Sequence, residues 1–348
     1  MITKKVFFRS DILNLTPYAS ARDEFDSVGQ QSLILLDANE NSLGDPLGRH
    51  WERYPDPHQR ALKQRLSGIK GLPAGQIFLG NGSDEAIDLL LRAACTPGLH
   101  NAVILPPTYG MYAVQAAING VEIRRANLKS DFSPDLAAVL AQTDEHTKLI
   151  FLCSPNNPTG NCLPDAFIEA ILSKFDGLVV VDEAYIDFAE NPSWSRRLAE
   201  FPNLVVLQTL SKAWGLAGLR LGMAFASPFI ISILNKIKYP YNISQATQLE
   251  VLEALQAEAA MQARVQTLLR ERERLREALS QVPAVLEIFP SDANFLLIRT
   301  TDADGIYQKL CAQGIIVRNR SREPHCANCL RITIGSPEEN QRLLQIMQ

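Results

Sequence analysis

The sequence from residue 209 to residue 222 reads Thr-Leu-Ser-Lys-Ala-Trp-Gly-Leu-Ala-Gly-Leu-Arg-Leu-Gly. It follows the apolar run Leu204 to Gln208, which has the composition of a buried strand. A lysine directly after such a strand is costly, because an unpaired ammonium resists removal from water. A Schiff base with an aldehyde removes that cost, and a lysine with a depressed pKa is the nucleophile that this chemistry requires. Lys212 is therefore a candidate for catalysis, although a Ser-Lys pair alone also occurs by chance.

The same segment carries groups that can bind an anion. The hydroxyls of Thr209 and Ser211 can converge on a phosphate with the guanidinium of Arg220, eight residues after Lys212. The glycines of the segment let the backbone approach a ligand closely. These features together favour a phosphate-bearing ligand beside the lysine.

A second candidate anion site is the run Gly80-Asn-Gly-Ser-Asp-Glu85, which opens a predicted helix after a strand. Free backbone N–H groups at Ser83 and Asp84, together with the helix dipole, make such a helix start a phosphate cradle. Capping of the helix by the side chain of Ser83 or Asp84, with no ligand, is an alternative explanation.

Outward from these motifs, short apolar runs alternate with helical patterns. Continuous apolar strands separated by helices favour an α/β fold with a large, mostly parallel, doubly wound sheet. In such sheets the ligand site lies off the carboxyl ends of the strands, and the polar motifs follow strands here. The predicted strands are Gln76 to Leu79, Ala102 to Leu105, Leu149 to Cys153, Gly177 to Asp182, Leu204 to Gln208 and Leu221 to Phe225, with a helix over Asp84 to Ala94.

The pattern changes after Pro240, where one long helical stretch is predicted from about Ser244 to Leu279. Single cores stop growing at roughly 250–300 residues, so a second, smaller α+β domain is expected. We predict an arm over residues 1–30, a large domain over 31–245 and a small domain over 246–348. The small domain should contain strands over Asn294 to Arg299, Ile315 to Arg318 and Leu330 to Ile334, and a last helix over Glu338 to Met347.

Two other strand ends carry side chains suited to the same site. Asp182 ends a predicted strand, and a carboxylate there can pair with a protonated pyridine nitrogen. Tyr185, three residues later, can donate to an oxygen on the same ring, and Asn157 after another strand can bond that oxygen too. Taken alone, Asp182 is better explained as a helix cap, and an ordinary Asn-Pro turn is the alternative explanation for Asn157.

Composition and charge argue against several classes of protein. A formal net charge of -4, with scattered basic residues, gives no reason to expect a nucleic-acid or acidic-membrane partner. No apolar run approaches the ~20 residues of a transmembrane helix and no signal-peptide core is present, so we expect a cytoplasmic protein. The six cysteines are too few and too scattered for a disulfide framework. His325-Cys-Ala-Asn-Cys329 lacks the second paired motif of a zinc site, which favours a plain loop and no metal.

The order of these motifs is similar to that of one family. The chain resembles the fold-type I aminotransferases that depend on pyridoxal 5′-phosphate, in the class that includes histidinol-phosphate aminotransferase. The resemblance runs from Leu36-Asp-Ala-Asn-Glu-Asn41 and Arg53-Tyr-Pro-Asp-Pro57 to Leu330-Arg-Ile-Thr-Ile-Gly335. The segment from Ser211 to Gly222 looks like the lysine signature of that class without a gap. Residues 319–329, with Arg320 and Arg322, are hard to align and receive no role from the resemblance.

The resemblance implies a role for each candidate residue. Lys212 holds the cofactor as a Schiff base and then moves a proton between the substrate α-carbon and the cofactor C4′. Arg331 clamps the α-carboxylate of glutamate as a bidentate pair. Tyr54 reaches the phosphate of the neighbouring subunit, so the active unit is a homodimer. The other implied contacts are Asp182 with the pyridinium, Tyr109 stacked on the ring, Asn157 and Tyr185 at the 3′ oxygen, Ser83, Asp84, Thr209, Ser211 and Arg220 at the phosphate, and Asn39 and Tyr18 near the substrate.

The implied reaction is an amino transfer in two halves, as part of histidine biosynthesis. Glutamate gives up its amino group to leave 2-oxoglutarate, and imidazole-acetol phosphate receives it to become histidinol phosphate, or the reverse. Arg331 can serve a carboxylate in one half and a phosphate in the other, because both present oxyanion faces that suit a guanidinium. Three alternatives stay open: an aminotransferase for aromatic or other amino acids, a threonine-phosphate decarboxylase of the same fold, and a non-catalytic module. Intact Lys212 and Asp182 argue against the last.

Overall fold

The larger of two sheets has seven strands in the computed structural model, which describes residues 7–18 and 34–348. These strands are β1 (Ile77–Asn81), β2 (Asn101–Ile104), β3 (Glu122–Arg125), β4 (Thr147–Cys153), β5 (Leu178–Asp182), β6 (Leu204–Thr209) and β7 (Leu221–Ala226). Their order across the sheet is β1-β7-β6-β5-β4-β2-β3. Strand β7 is antiparallel to both neighbours, and the other pairs are parallel. The predicted mostly parallel sheet is confirmed.

Both faces of the sheet are covered, which explains the continuous apolar strands. Along β5, Val179 and Val181 belong to one hydrophobic cluster, and Leu178 and Val180 belong to another. Because successive side chains of a strand point to opposite faces, the two clusters lie on opposite sides of the sheet. The helices before and between these strands, with two that follow β7, are α1 (Ser10–Asn14), α2 (Arg60–Lys70), α3 (Gly82–Ala94), α4 (Met111–Ile118), α5 (Leu136–Ala141), α6 (Asp165–Lys174), α7 (Pro228–Ile237) and α8 (Gln245–Ala254).

The second sheet is smaller and antiparallel throughout, with the order β10-β11-β9-β8. It has its own hydrophobic cluster, which includes Leu275, Leu296 and Leu330. A separate core supports the expected second domain, while the exact boundaries at residues 30 and 245 stay predictions. The elements of this part are α9 (Glu258–Leu279), β8 (Val285–Ile288), β9 (Phe295–Thr300), α10 (Ala303–Ala312), β10 (Arg318–Asn319), β11 (Cys329–Thr333) and α11 (Pro337–Met347).

Two local predictions differ from the structure, and one strand has no prediction. The helix predicted over Ser244 to Leu279 is two helices, α8 and α9, separated by a 3₁₀ turn at Leu255–Ala257. Leu255 is fully buried in the large core, so the turn anchors the chain there before α9 begins. The strand predicted over Ile315 to Arg318 pairs only at Arg318–Asn319. Strand β3 was not predicted, because its Glu-Ile-Arg-Arg sequence lies at the sheet edge with partial exposure.

The predicted N-terminal arm is described only in part, since residues 1–6 and 19–30 lie outside the described ranges. Phe7 and Phe8 are buried in a cluster of the large sheet, followed by the short helix α1. Within the described residues, no helix has the length and apolar character needed to cross a membrane.

Candidate active site

A pocket opens to solvent at the carboxyl ends of β4, β5 and β6. Strand β7 is antiparallel, so its amino end lies at the same edge of the sheet. This orientation brings Arg220, which directly precedes β7, beside the segments that follow β1 and β6. All predicted cofactor contacts except Tyr54 line the pocket. The lining residues are Gly82, Ser83, Asp84, Tyr109, Cys153, Asn157, Asp182, Ala184, Tyr185, Thr209, Ser211, Lys212 and Arg220.

Lys212 lies three residues beyond the end of β6, with its Nζ 5.5 Å from the centre of the Tyr185 ring. Burial lowers the pKa of the Lys212 amine, and the positive charges of Arg331 and Arg220 lower it further. The negative charge of Asp182 acts in the opposite direction but does not cancel these effects. A larger fraction of the amine is therefore neutral and nucleophilic than in a solvent-exposed lysine.

Asp182 is the last residue of β5 and is only 2% exposed. Its Oδ2 accepts a hydrogen bond from the Tyr112 hydroxyl at 2.7 Å, and its Oδ1 accepts one from the Ala184 N–H at 3.1 Å. Burial raises the pKa of Asp182 to about 6, although both hydrogen bonds oppose the rise. The following 3₁₀ helix is not capped by Asp182, since its N-cap residue is Tyr185. A buried carboxylate at the pocket wall is suited to pair with a cationic ligand group.

Tyr112 was not identified from the sequence as part of the site. A tyrosine in the first turn of a helix carries no sign of where its hydroxyl points. Its full burial and its bond to Asp182 appear only in the folded chain. The sequence offers one signal for its location: Tyr112 follows Tyr109 by three residues, and side chains at that spacing lie on the same face of a helical turn.

The cradle for an anion is formed by the start of α3 and the residues around Lys212. The N-cap residue Asn81 makes no side-chain cap bond, and the side chain that accepts a backbone N–H at this helix start is that of Glu85, from Asn81, so the alternative of a cap by Ser83 or Asp84 is wrong. The Asp84 carboxylate instead accepts a hydrogen bond from the Tyr109 hydroxyl at 3.1 Å. An uncapped helix start leaves backbone N–H groups for an anion.

Two hydroxyls and one guanidinium complete this cradle. The hydroxyl oxygens of Thr209 and Ser211 lie 3.0 Å apart, and Arg220 Nη1 lies 3.5 Å from Ser211 Oγ. Arg220 has a positive φ of 54°, which turns the chain sharply just before β7 begins. The start of α3, Thr209 with Ser211, and Arg220 thus lie together at one end of the pocket.

Arg331 and Asn157 join the two sheets beside the pocket. Arg331, on β11, donates from Nη1 to Asn157 Oδ1, and its guanidinium lies 5.2 Å from the centre of the Phe295 ring. Burial lowers the pKa of Arg331. Its Nε is buried and has no hydrogen-bond partner within the described residues. An unsatisfied guanidinium N–H at this position favours an oxyanion ligand.

A second arginine, Arg320, lies near the same place and was given no role by the sequence. Burial raises the pKa of the Tyr185 phenol, and the positive charges of Arg331 and Arg320 both oppose that rise. The Arg320 Nε is also buried without a partner in the described part of the chain. Its backbone N–H donates to Cys329 O at 2.8 Å, which fixes it beside the start of β11. Loop residues of this kind cannot be placed by periodicity.

Four predicted residues do not line the pocket of the described chain: Arg331, which lies beside it, and Tyr54, Asn39 and Tyr18. Tyr54 is 50% exposed and stacks on Tyr241, with ring centres 4.4 Å apart. Asn39 is exposed in a loop with a φ of 54°, and Tyr18 is 75% exposed. Residues 19–33 between them are outside the described ranges.

The Cys-x-x-Cys motif forms a tight turn in which the Cys329 N–H donates to Cys326 O at 2.9 Å. Both cysteines are buried and unpaired. Over residues 7–18 and 34–348, no group of three or more His, Cys, Asp and Glu side chains is placed to hold a metal ion.

Comparisons with known proteins give a context for this geometry. The family model "Aminotransferase class I and II" matches residues 32–347. The histidinol-phosphate aminotransferase of Parabacteroides distasonis is 54% identical over 344 residues, covering 99% of this chain and 98% of that protein. That of Cytophaga hutchinsonii is 52% identical over 340 residues, covering 98% and 97%. A solved histidinol-phosphate aminotransferase of Sinorhizobium meliloti, in complex with pyridoxal-5′-phosphate, superposes with a TM-score of 0.77 over 97% of both chains at 23% identity, which confirms the fold.

Proposed function

The chain belongs to the class I and II aminotransferase family, and we propose from this premise that it transfers an amino group between L-histidinol phosphate and 2-oxoglutarate. In histidine biosynthesis the reaction runs from glutamate to imidazole-acetol phosphate. The observation that carries the proposal is the single pocket that unites the Lys212 amine, the Asp182 carboxylate and an anion cradle. Identities of 54% and 52% to two histidinol-phosphate aminotransferases, over nearly the full length of each, support the choice of substrate.

Pyridoxal 5′-phosphate is the cofactor that the pocket fits. Its three chemical features, an aldehyde, a basic ring nitrogen and a phosphate, correspond to the Lys212 amine, the Asp182 carboxylate and the uncapped start of α3 with Arg220. When bound, pyridoxal phosphate withdraws electrons from the substrate α-carbon. The residues that would hold it are Ser83, Asp84, Tyr109, Asn157, Asp182, Tyr185, Thr209, Ser211, Lys212 and Arg220.

Lys212 has two roles in the proposed reaction, and the lowered pKa of its buried amine suits both. Because burial lowers the pKa of its amine, a larger fraction of Nζ is neutral and able to attack an aldehyde than in an exposed lysine. After substrate binding frees it, the same Nζ is a base of suitable strength to remove the proton from the substrate α-carbon. Tyr185, whose ring lies against Nζ, limits the directions in which the amine can move.

The two substrates differ in the anion that they present beside the α-carbon. Glutamate carries a carboxylate there, whereas histidinol phosphate carries a phosphate ester with a larger charge. Arg331, held by Asn157 and by the Phe295 ring, can form a fork with either group. Arg320, whose charge acts on Tyr185 and whose Nη1 lies 3.9 Å from a Glu323 carboxylate oxygen, is a second cation on this side of the site, and two guanidinium groups suit a dianion better than one. This pair supports a phosphorylated substrate.

We propose that the active form is a homodimer in which Tyr54 reaches the site of the neighbouring subunit. The segment before α2 leaves many apolar side chains exposed, among them Leu43 at 97%. Exposed apolar side chains concentrated in one segment favour burial against a partner, and a second copy of the chain is the simplest partner. The exposed apolar side chains of this segment are Ile34, Leu36, Leu43, Leu47, Trp51 and Tyr54.

A comparison of substrates tests the proposed function. Protein loaded with pyridoxal phosphate is given L-histidinol phosphate, phenylalanine or threonine phosphate, each with 2-oxoglutarate, and glutamate formation is measured. We expect the highest kcat/KM with histidinol phosphate. Faster transfer from phenylalanine would indicate an aromatic aminotransferase. Release of carbon dioxide from threonine phosphate, without glutamate formation, would indicate the decarboxylase.

The role of the two arginines can be tested with three variants. Arg320→Ala should lower kcat/KM for histidinol phosphate roughly 10- to 100-fold, because a charge-assisted contact to phosphate is lost. Glutamate should suffer much less from this change, whereas Arg331→Ala should impair both substrates. Arg322→Ala, in the same loop but exposed, is the matched control. Equal losses for both substrates in Arg320→Ala would contradict the proposed phosphate contact.

A further inference from the structure

Tyr112 is fully buried against the wall of the pocket without lining it. Its ring stacks on Phe151 with centres 4.8 Å apart and planes 12° apart, and the ring of Tyr109 meets it edge-on at 5.5 Å. Packing on these two rings fixes the direction of the Tyr112 Cζ–Oη bond. That hydroxyl donates to Asp182 Oδ2 at 2.7 Å.

Asp182 depends on this hydroxyl for its orientation. Among the residues that the structure describes, Tyr112 is the side chain that donates to the carboxylate, while the Ala184 N–H holds the other oxygen. Burial favours the protonated form of Asp182, and both hydrogen bonds favour the ionised form. Loss of the Tyr112 hydroxyl would leave one carboxylate oxygen without a donor and the side chain free to turn.

We propose that Tyr112 is a positioning residue, whose hydroxyl keeps Asp182 ionised and aimed at the ring nitrogen of the bound cofactor. The inference rests on the proposed function, because it requires a pyridine ring opposite Asp182. Two tyrosines three residues apart then have different roles. Tyr109 lines the pocket, whereas Tyr112 hydrogen-bonds the side of Asp182 that faces away from it. Tyr112 itself touches neither cofactor nor substrate.

The test uses holoenzyme loaded with pyridoxal phosphate labelled with ¹⁵N in the ring. The ¹⁵N chemical shift reports whether the ring nitrogen is protonated. In Tyr112→Phe we expect this nitrogen to lose its proton at a pH lower by about one unit than in the parent, since Asp182 pairs with it less well. The dissociation constant of pyridoxal phosphate should rise roughly tenfold or more, and kcat should fall with little change in KM.

Two further variants separate a positioning role from a general structural one. Tyr307→Phe removes a tyrosine hydroxyl from α10 in the small domain and should leave the ¹⁵N titration unchanged. In an Asp182→Asn background, Tyr112→Phe should cause no further loss, because the group through which it acts is already changed. Phe keeps the ring packing, so the positioning role also requires Tyr112→Phe to fold like the parent.

Three results would overturn the inference: a ¹⁵N titration in Tyr112→Phe equal to that of the parent, a full additional loss in the Asp182→Asn background, or an unfolded Tyr112→Phe protein. Failure of the proposed function is distinguishable from these. It would appear in the parent, as no pyridoxal phosphate binding or no conversion of histidinol phosphate, before any variant is compared.

Discussion

At the scale of single residues, the site is costly to form before any ligand binds. Asp182 is a carboxylate in a nearly solvent-free position, and Lys212 is an amine whose charged form is penalised by burial. Arg331 keeps a buried N–H without an acceptor in the described part of the chain. Buried groups of this kind destabilise a fold unless a partner satisfies them. A ligand with one cationic and one anionic end relieves these costs, which is why they identify a binding site.

The pH dependence of stability should reveal the cost at Asp182. The pKa of Asp182 is raised from 3.8 to about 6 by burial, so its contribution to stability is present below pH 3.8 and is lost as the pH rises through about 6. Asp182→Asn does not titrate. The free energy of unfolding of cofactor-free Asp182→Asn should therefore rise relative to that of the parent by on the order of 2 kcal/mol between pH 4 and pH 7.

Denaturant unfolding of both cofactor-free proteins at several pH values measures this difference. Glu183, whose pKa burial also raises, to about 7, is common to both proteins and cancels in the comparison. A gap between the two proteins that stays constant with pH would show that Asp182 is not the group responsible.

At the scale of elements, the anion cradle depends on how closely β7 approaches the start of α3. A Cβ atom added at Gly222 would lie 2.1 Å from backbone atoms of both Gly82 and Ser83. Gly222 pairs with Gly80 on β1 and with Thr209 on β6, so this one position touches two of the segments that form the cradle. Only glycine allows three pieces of backbone to meet so closely.

Gly222→Ala should therefore displace the start of α3 and weaken pyridoxal phosphate binding at least about tenfold, as one or more backbone N–H contacts to phosphate are lost. Gly218→Ala is the matched control in the same segment, because a Cβ there would meet nothing within 4 Å. Titration of each protein with pyridoxal phosphate, followed by absorbance, gives the dissociation constants. Equal affinities in the two variants would contradict the role assigned to Gly222.

The sequence predicts elements well where the core dictates them and poorly where it does not. Strands β4 to β6 were predicted because burial on both faces demands unbroken apolar runs. Strand β3 cannot be predicted from an apolar run, because its edge position tolerates Glu122 and two arginines. The end of α8 cannot be predicted, because no proline or glycine follows it. The burial of Leu255 depends on tertiary packing, which local sequence does not reveal.

At the scale of the whole molecule, the site is completed across two cores. Asn157 follows β4 of the large sheet, whereas Arg331 lies on β11 of the small sheet, and their hydrogen bond joins the two beside the pocket. Motif order indicated that both residues belong to one site. Arg320 and Tyr112 could not be found in this way, because their places depend on loop course and ring packing. Tyr54 does not line the pocket of its own chain, so the role proposed for it requires assembly with a second copy.

Mixing of two inactive variants tests whether subunits share a site. If Tyr54 acts in the neighbouring subunit, a heterodimer of Tyr54→Ala and Lys212→Ala has one intact site and one doubly altered site. Random reassortment of equal amounts should then restore about a quarter of the parent activity, since half of the dimers carry one working site of two. No recovery after mixing, with heterodimers shown by mass measurement, would mean that Tyr54 serves its own chain or no site.

The covalent bond to Lys212 is the claim on which the chemistry depends. Protein incubated with pyridoxal phosphate is reduced with borohydride, digested and analysed by mass spectrometry. We predict one phosphopyridoxyl adduct, on the peptide that contains Lys212, and none at that position in Lys212→Ala. An adduct at Lys63, another buried lysine whose pKa burial lowers to about 8, or no adduct in a folded parent protein, would contradict the account.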